Sequence, residues 1–154
     1  MSARSNAIAA IGPGILTPDE AQRLLDAKLG PWLQELGLVV EECGTRMVRL
    51  RLPHSPRLAR PGGTVSGQAL MACADTAMGV AIFAAYGGYR EVTTVGQTTS
   101  FMRPIGTADT VIDAVVRKLG RNLIFAEATF RVAGSDVPCA HATATWAVLP
   151  ADTR

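Results

Sequence analysis

The fold of this chain is decided by residues 61–89, which read PGGTVSGQALMACADTAMGVAIFAAYGGY. From Val65 to about Tyr86 this stretch has no proline and no alternation of period two, and apolar residues occur on every side. Such a pattern predicts a long helix that is buried on most of its surface and ends at the glycine pair that follows. Asp75 is the only charged side chain in the stretch, and a carboxylate without a partner is costly to bury. Asp75 is therefore the first candidate for a functional residue.

The sequence on either side of this helix predicts strands. Two runs that flank Gly44, LVVEEC and TRMVRLRL, indicate a pair of strands with one solvent-exposed face. Beyond Arg90 the strand-like runs are VTTVGQTTSFM, TVIDAVVRKL, LIFAEATFRV and CAHATATWAVL. The last run alternates most clearly, and it predicts one face with Ala140, Ala142, Ala144, Trp146 and Val148 and an opposite face with His141, Thr143 and Thr145. The breaks between these four runs are short enough for antiparallel hairpins. An earlier helix begins at Thr17, where a hydroxyl, Pro18 and two acids favour a helix start, and it reaches about Leu29.

This inventory predicts an α+β fold in which an antiparallel β-sheet wraps around the long central α-helix. The helix needs apolar cover on most of its surface, and the sheet has one face to supply it. We expect one domain over residues 17–150, preceded by a loose leader at 1–16 and followed by a tail at 151–154. The central helix is long enough to cross a membrane, but Asp75 near its middle and the strand-like neighbours argue against that role.

Composition and charge argue against several classes of function. The 154 residues carry 15 basic and 13 acidic side chains, and a formal charge of +2 is too weak and too scattered for nucleic-acid binding. The three cysteines follow neither a metal-binding spacing nor a disulfide framework, which favours a reducing compartment and predicts a cytoplasmic protein. The two histidines are not clustered with acids or thiols, so the sequence predicts neither a metal nor a redox cofactor.

The stretch G-x-x-S-G-Q-A-L-x-x-x-A-D-T-A on the predicted helix, with a later strand that ends F-M-R-P, resembles the hotdog-fold acyl-CoA thioesterases of the phenylacetate-degradation (PaaI-like) group. The resemblance runs over about residues 36–149. In that group a loop N-x-x-G-x-x-H-G-G leads into the central helix, and an acidic residue eight positions after the first glycine of H-G-G is catalytic. Gly63, Gly67 and Asp75 occupy the corresponding positions here. The resemblance implies an acyl-CoA substrate and a homo-oligomer, either a dimer or a homotetramer of two dimers.

Three positions depart from the pattern of the group. Arg60 stands where the group has asparagine, Ser66 where it has histidine and Gln68 where it has the second glycine. In the group the asparagine and histidine help to hold the thioester or the attacking water. The alternative function is therefore a non-catalytic acyl-CoA or acyl-carrier binding protein of the same fold.

The spacing of Gly67 and Asp75 predicts how a thioesterase site would be assembled. Asp75 would attack the carbonyl or act as general base on water, and the sequence does not decide between these roles. The backbone N–H of Gly67, at the helix start, is the candidate oxyanion donor. Eight helical residues separate the two by about 12 Å along one axis, which is too far for both to act on one carbonyl. We therefore predict that Gly67 of one subunit works with Asp75 of a second subunit across a two-fold axis.

The other candidate site residues have ordinary structural explanations as well. Ser66 and Gln68 could position the thioester, but polar residues at a helix start are commonly caps. Thr94 lies near where the group has a hydroxyl that orients water, although threonine is also a good strand former and Thr93 competes for the role. The cations that could meet coenzyme A phosphates or an acyl carboxylate, or could simply be solvated, are Arg60, Arg117, Lys118 and Arg121.

Two other nucleophiles are less favoured by the sequence. Cys73 precedes Asp75 by two residues, but nothing supports a Cys–His pair, and a buried structural cysteine is expected. The run G-T-V-S-G over residues 63–67 is not the nucleophile elbow G-x-S-x-G, and no strand closely precedes it.

Overall fold

The computed structural model describes residues 11–151, so most of the predicted leader and the predicted tail beyond Ala151 lie outside the described residues. The helices and strands of the described part confirm the predicted central helix and both predicted groups of strands. Their bounds are α1 Pro18–Lys28, α2 Pro31–Gln34, β1 Val39–Cys43, β2 Met47–Leu52, α3 Gly67–Tyr86, β3 Val92–Phe101, β4 Thr110–Leu119, β5 Leu123–Val132 and β6 Pro138–Val148, with a single 3-10 turn at Pro56–Leu58.

One antiparallel sheet, in the strand order β1-β2-β4-β5-β6-β3, wraps around α3. The helix contacts every strand from β2 to β6, and most of its residues are buried. By length and composition α3 would also be able to span a bilayer, but two thirds of its most apolar window, 67%, is buried inside the protein. The predicted sheet around a central helix is confirmed, and α3 is the core of the domain.

The predicted hairpin between β3 and β4 is wrong. β4 pairs with β2 on one side and β5 on the other, so neither edge of β4 is free for β3. β3 pairs instead with β6, and the segment that leaves β3 crosses the end of the sheet, where Ile105 is buried and its carbonyl accepts a hydrogen bond of 2.8 Å from the N–H of Val65. This pairing places Thr94 opposite Trp146, on the face of the sheet that covers α3.

A glycine turn and a serine cap set the start of α3. Gly62 and Gly63 have φ values of 102° and 90°, which glycine adopts without strain. The Ser66 side chain then accepts a hydrogen bond of 3.2 Å from the N–H of Ala69, and Gly67 is the first helical residue. An N–H at this position has no partner within the helix. The backbone amide of Gly67 is therefore available at the positive end of the helix dipole.

Candidate active site

Asp75 lies in the middle of α3 and is held by one strand hydroxyl. Its Oδ1 accepts a hydrogen bond of 2.7 Å from Thr94 Oγ1, whereas Thr93, which is exposed, points to the other face of β3. Asp75 is half-buried rather than fully buried, and its Oδ2 has no hydrogen-bond partner among the described residues. The carboxylate is thus oriented by Thr94 and keeps one oxygen free for chemistry.

Beside Asp75 is a chamber of about 170 Å³ between α1, α2, α3, β3 and β6, which we call the Asp75 chamber. Gly79, one turn further along α3, faces the ring of Trp146, and a Cβ at residue 79 would lie 3.6 Å from Trp146 Cη2. A glycine here leaves the chamber open. Its full lining is Lys28, Leu29, Leu33, Asp75, Thr76, Gly79, Val80, Phe83, Tyr89, Arg90, Val92 and Trp146.

Gly67 lies in a second, separate depression, which we call the Gly67 cleft. This cleft has a volume of about 460 Å³ and is lined by Arg60, Thr64, Val65, Gly67, Leu70, Phe101, Met102, Arg103, Pro104 and Ile105. The ring of Phe101 lies against Gly67, since a Cβ there would be 3.3 Å from Phe101 Cζ. Arg60 Nε donates a hydrogen bond of 2.7 Å to Thr64 Oγ1. Within one chain the predicted oxyanion donor and the predicted acid therefore open onto different cavities.

The other predicted site residues do not gather around Asp75. Ser66 and Gln68 share a groove with Trp32, and the Ser66 hydroxyl is engaged as the helix cap. Gly63 is exposed in the turn before α3. The predicted cations at the β4–β5 hairpin, Arg117, Lys118 and Arg121, are exposed and line neither the Asp75 chamber nor the Gly67 cleft.

Arg117 has a partner of its own in the described structure. Its guanidinium donates to Glu127, and both residues line a shallow groove on the face of the sheet away from α3. The structure therefore gives Arg117 a cross-strand ion pair on the outside of the sheet. Lys118 and Arg121 have no salt bridge among the described residues.

Cys73 is a buried thiol on the opposite side of α3 from Asp75. Two helical residues correspond to a rotation of about 200°, and Cys73 is fully buried. Burial raises the pKa of its thiol to about 12, so this cysteine is a thiol and not a nucleophilic thiolate at neutral pH.

This raised pKa predicts a pH-dependent loss of stability. In the unfolded chain the pKa of the thiol is about 8.5, so the native state binds this proton more tightly than the unfolded state does. The resulting contribution to the free energy of unfolding is fully present below about pH 8.5, and it falls by about 1.4 kcal/mol for each pH unit above that value. We expect the difference in free energy of unfolding between the wild type and Cys73→Ala to shrink by about 1–2 kcal/mol between about pH 8.5 and about pH 10. Urea unfolding of both proteins at each pH measures this difference. If the free energies of unfolding of the two proteins changed in parallel with pH, the prediction would be contradicted.

Of the twelve residues that line the chamber, sequence reasoning singled out Asp75 alone. Among the residues that it missed, Lys28, Tyr89, Arg90 and Trp146 have large side chains with polar groups. They come from α1, from the loop after α3 and from β6, so no spacing in the sequence relates them to Asp75. The alternation of β6 did place Trp146 on the core face, and that signal was the only one available.

A half-buried carboxylate beside a chamber lined by both apolar and charged side chains, on a central helix wrapped by an antiparallel sheet, defines a hotdog-fold protein with a candidate hydrolytic site. The profile of the thioesterase superfamily matches residues 62–139, about half of the chain, and this stretch includes α3, β3, β4 and β5. The chain belongs to the thioesterase superfamily. Thioester hydrolysis is the general activity that this membership supports.

Individual relatives agree with this assignment. A Thermoplasma acidophilum protein provisionally named an esterase is 26% identical over 96 residues, which are 62% of this chain and 72% of that protein. The structure of a provisionally named thioesterase from Silicibacter sp. TM1040 is 27% identical, with a TM-score of 0.79 over 89% of this chain and 94% of that one. A phenylacetic acid degradation-related protein from Ralstonia eutropha shares the fold, with 22% identity and a TM-score of 0.71 over 84% of this chain and 99% of that one.

Proposed function

We propose that this protein is an acyl-CoA thioesterase in which Asp75 acts as nucleophile or general base and the backbone N–H of Gly67 from a second subunit stabilises the oxyanion. The observation that carries the proposal is the Asp75 carboxylate, which Thr94 orients by a hydrogen bond of 2.7 Å beside an open chamber. Water attack on the thioester carbon, or attack by Asp75 followed by water, would release a free acid and the thiol of coenzyme A.

The separation of the two cavities supports a site shared between subunits. Gly67 and Asp75 are about 12 Å apart along α3 and line different cavities of one chain. A second copy related by a two-fold axis would bring its Gly67 cleft to the Asp75 of this chain. By the same symmetry, the Gly67 cleft of this chain would lie at the Asp75 of the second copy. The pantetheine arm would then run along the subunit interface, and the acyl group would enter the Asp75 chamber.

The edge of the sheet offers a surface for such a dimer. β3 pairs with β6 on one side, and no other described strand pairs with its second side. An edge of ten residues with free N–H and C=O groups is a template for pairing with a second copy. Exposed apolar side chains in this region include Met71 on α3, Val95 and Phe101 on β3, and Met102 directly after β3. Pairing of β3 with its symmetry mate would cover these groups, and a homotetramer of two such dimers completes the proposal.

Two substituted positions favour one alternative, a non-catalytic binding protein. Ser66 is engaged as a helix cap and Arg60 bonds Thr64, so neither side chain reproduces the role that the resemblance gives to histidine and asparagine. The assay that separates the functions is release of free thiol from a panel of acyl-CoAs by the purified protein. Turnover supports the thioesterase, whereas tight binding without thiol release would support the alternative. The three free cysteines agree with the cytoplasmic location that we propose for either function.

Replacing Thr94 by valine removes the hydrogen bond that orients the Asp75 carboxylate. A hydrogen bond to a charged group contributes about 1.5–3 kcal/mol to the stability of such an arrangement, so kcat is expected to fall by about 10-fold or more. Thr94→Ser keeps the hydroxyl and should restore most of the activity, which a purely packing role of Thr94 would not explain. Steady-state kinetics of both variants tests the prediction, and an unimpaired Thr94→Val enzyme would contradict it.

A further inference from the structure

The Gly67 cleft is lined by two cations and by no acid. Arg60 belongs to the loop before α3, and Arg103 belongs to the segment that follows β3. Both residues are exposed, and neither forms a salt bridge among the described residues. Charges of one sign that line the same cleft attract a ligand of the opposite sign. The cleft is therefore suited to an anionic group.

Hydrogen bonds to neutral oxygens hold both arginines in place. The backbone N–H of Arg60 donates to the Thr64 carbonyl over 2.8 Å, and its Nε donates to Thr64 Oγ1 over 2.7 Å. The backbone N–H of Arg103 donates to the Cys139 carbonyl over 3.0 Å, and its Nη1 donates to the Pro138 carbonyl over 2.7 Å. The other N–H donors of each guanidinium have no partner among the described residues. Both side chains are thus anchored and still able to donate to a ligand.

The rest of the cleft favours a ligand with a long uncharged part. Apart from the two arginines, Thr64 and Gly67, the lining is apolar and consists of Val65, Leu70, Phe101, Met102, Pro104 and Ile105. The cleft has a volume of about 460 Å³, compared with about 170 Å³ for the Asp75 chamber. Apolar walls with a few polar groups bind a ligand along its length and fix its orientation. A small free anion would leave these walls without contacts.

The proposed function decides which part of the substrate enters this cleft. In that proposal the thioester oxygen lies at the N–H of Gly67, and the acyl group extends into the Asp75 chamber of the second subunit. The sulfur side of the thioester then lies in the Gly67 cleft. In coenzyme A this side is the pantetheine arm, an uncharged chain with amide and methyl groups that ends in a phosphate. Its chemistry matches an apolar cleft that carries cations.

Resting on the proposed function, we infer that the Gly67 cleft binds the phosphate at the end of the pantetheine arm and that Arg60 and Arg103 are its ligands. The planar guanidinium groups donate charge-assisted hydrogen bonds to the phosphate oxygens, and each can do so in a bidentate manner. Arg103 was not singled out by the sequence. The inference moves the phosphate site away from the β4–β5 hairpin, where the cations Arg117, Lys118 and Arg121 line neither the cleft nor the chamber.

Thioesters with a shortened carrier test this inference. The best acyl group of the acyl-CoA panel is attached to coenzyme A, to 4′-phosphopantetheine and to pantetheine, and only the last lacks the phosphate. We expect kcat/KM for the first two to exceed that for the pantetheine thioester by at least about 10-fold. Equal values for all three, or a phosphopantetheine thioester as poor as the pantetheine one, would overturn the inference. An acyl carrier protein presents the same phosphate as a diester, so its kcat/KM relative to the CoA thioester identifies the source, and use of either supports the site.

Variants of the cleft show whether these two arginines bind the phosphate. Arg60→Met and Arg103→Met are each expected to raise KM for the CoA thioester by about 10-fold and to change kcat by less than about 3-fold, because the phosphate is bound equally in the ground and transition states. Neither variant should change kcat/KM for the pantetheine thioester, whereas a structural role would lower it for both thioesters. Arg46→Met, an exposed arginine outside the cleft, is the matched control. Equal losses on both thioesters, or a dependence on phosphate that only Lys118→Met removes, would overturn the inference.

Binding without turnover separates this inference from the proposed function. Isothermal titration calorimetry compares the affinity of the wild type for 4′-phosphopantetheine and for pantetheine. Affinity for the phosphorylated form that is at least about 10-fold higher, and that is lost in the Arg60→Met, Arg103→Met double variant, supports the site even if no thioester is hydrolysed. Equal affinity for the two compounds overturns the site, and release of thiol from acyl-CoA by the same protein would still support the proposed function.

Discussion

Asp75→Asn is expected to lower kcat by about three orders of magnitude while the protein stays folded, since general acid–base groups contribute typically 10²–10⁴-fold. Asparagine has the size of aspartate and keeps an oxygen that accepts the hydrogen bond from Thr94. It can neither take a proton from water nor attack the thioester carbon. The measurement is thiol release under saturating acyl-CoA, with circular dichroism and thermal unfolding of the same sample.

The control for this variant is an acid of the same type without a proposed role. Asp136 is exposed in the β5–β6 turn, and Asp136→Asn should keep full activity. An Asp75→Asn protein that retains a tenth or more of wild-type kcat would contradict the catalytic assignment. Loss of folding together with activity would instead assign Asp75 a structural role through its bond to Thr94.

Gly67→Pro is expected to lower kcat by about 10²–10³, the typical cost of removing one oxyanion donor. Proline removes the backbone N–H, and it is tolerated at the first position of a helix. Ser66, with φ −66° and ψ 147°, already has the extended conformation that a residue before proline requires. Gly67→Ala keeps the N–H and makes the same close contact with the Phe101 ring, so it controls for that contact. If Ala and Pro were equally impaired, the Phe101 contact and not the amide would explain the loss.

Mixing the two inactive proteins tests whether the site is shared. A hybrid dimer of Gly67→Pro and Asp75→Asn subunits would contain one site with both groups intact and one site with neither. Random exchange makes about half of the dimers hybrid, so activity should return to about a quarter of the wild-type value. No recovery after verified subunit exchange, or a fully active monomer, would contradict a site built from two chains.

Local sequence signals account for the elements of this domain and for its central acid. The apolar stretch from Val65 to Tyr86 predicted α3 because a helix without a polar face must be buried. The alternation along β6 predicted which of its residues face the core. The spacing of Gly67 and Asp75 fixed their separation along one helix, because the rise per residue is constant.

Strand pairing and the shape of the site depended on contacts between distant residues. The short break between β3 and β4 predicted a hairpin, but β2 and β5 pair with the two edges of β4. The length of a loop does not show which strands will pair with a given edge. Only the resulting pairing of β3 with β6 placed Thr94, and not Thr93, within hydrogen-bond distance of Asp75.

The sequence by itself determined that an isolated carboxylate lies on a buried helix eight residues after a glycine, because helix geometry depends on local spacing alone. The tertiary structure decided what surrounds that carboxylate. Lys28, Arg90 and Trp146 come from three separate segments, and only the folding of the sheet around α3 brings them to one chamber. Their proximity is a property of long-range packing, which local periodicity does not encode.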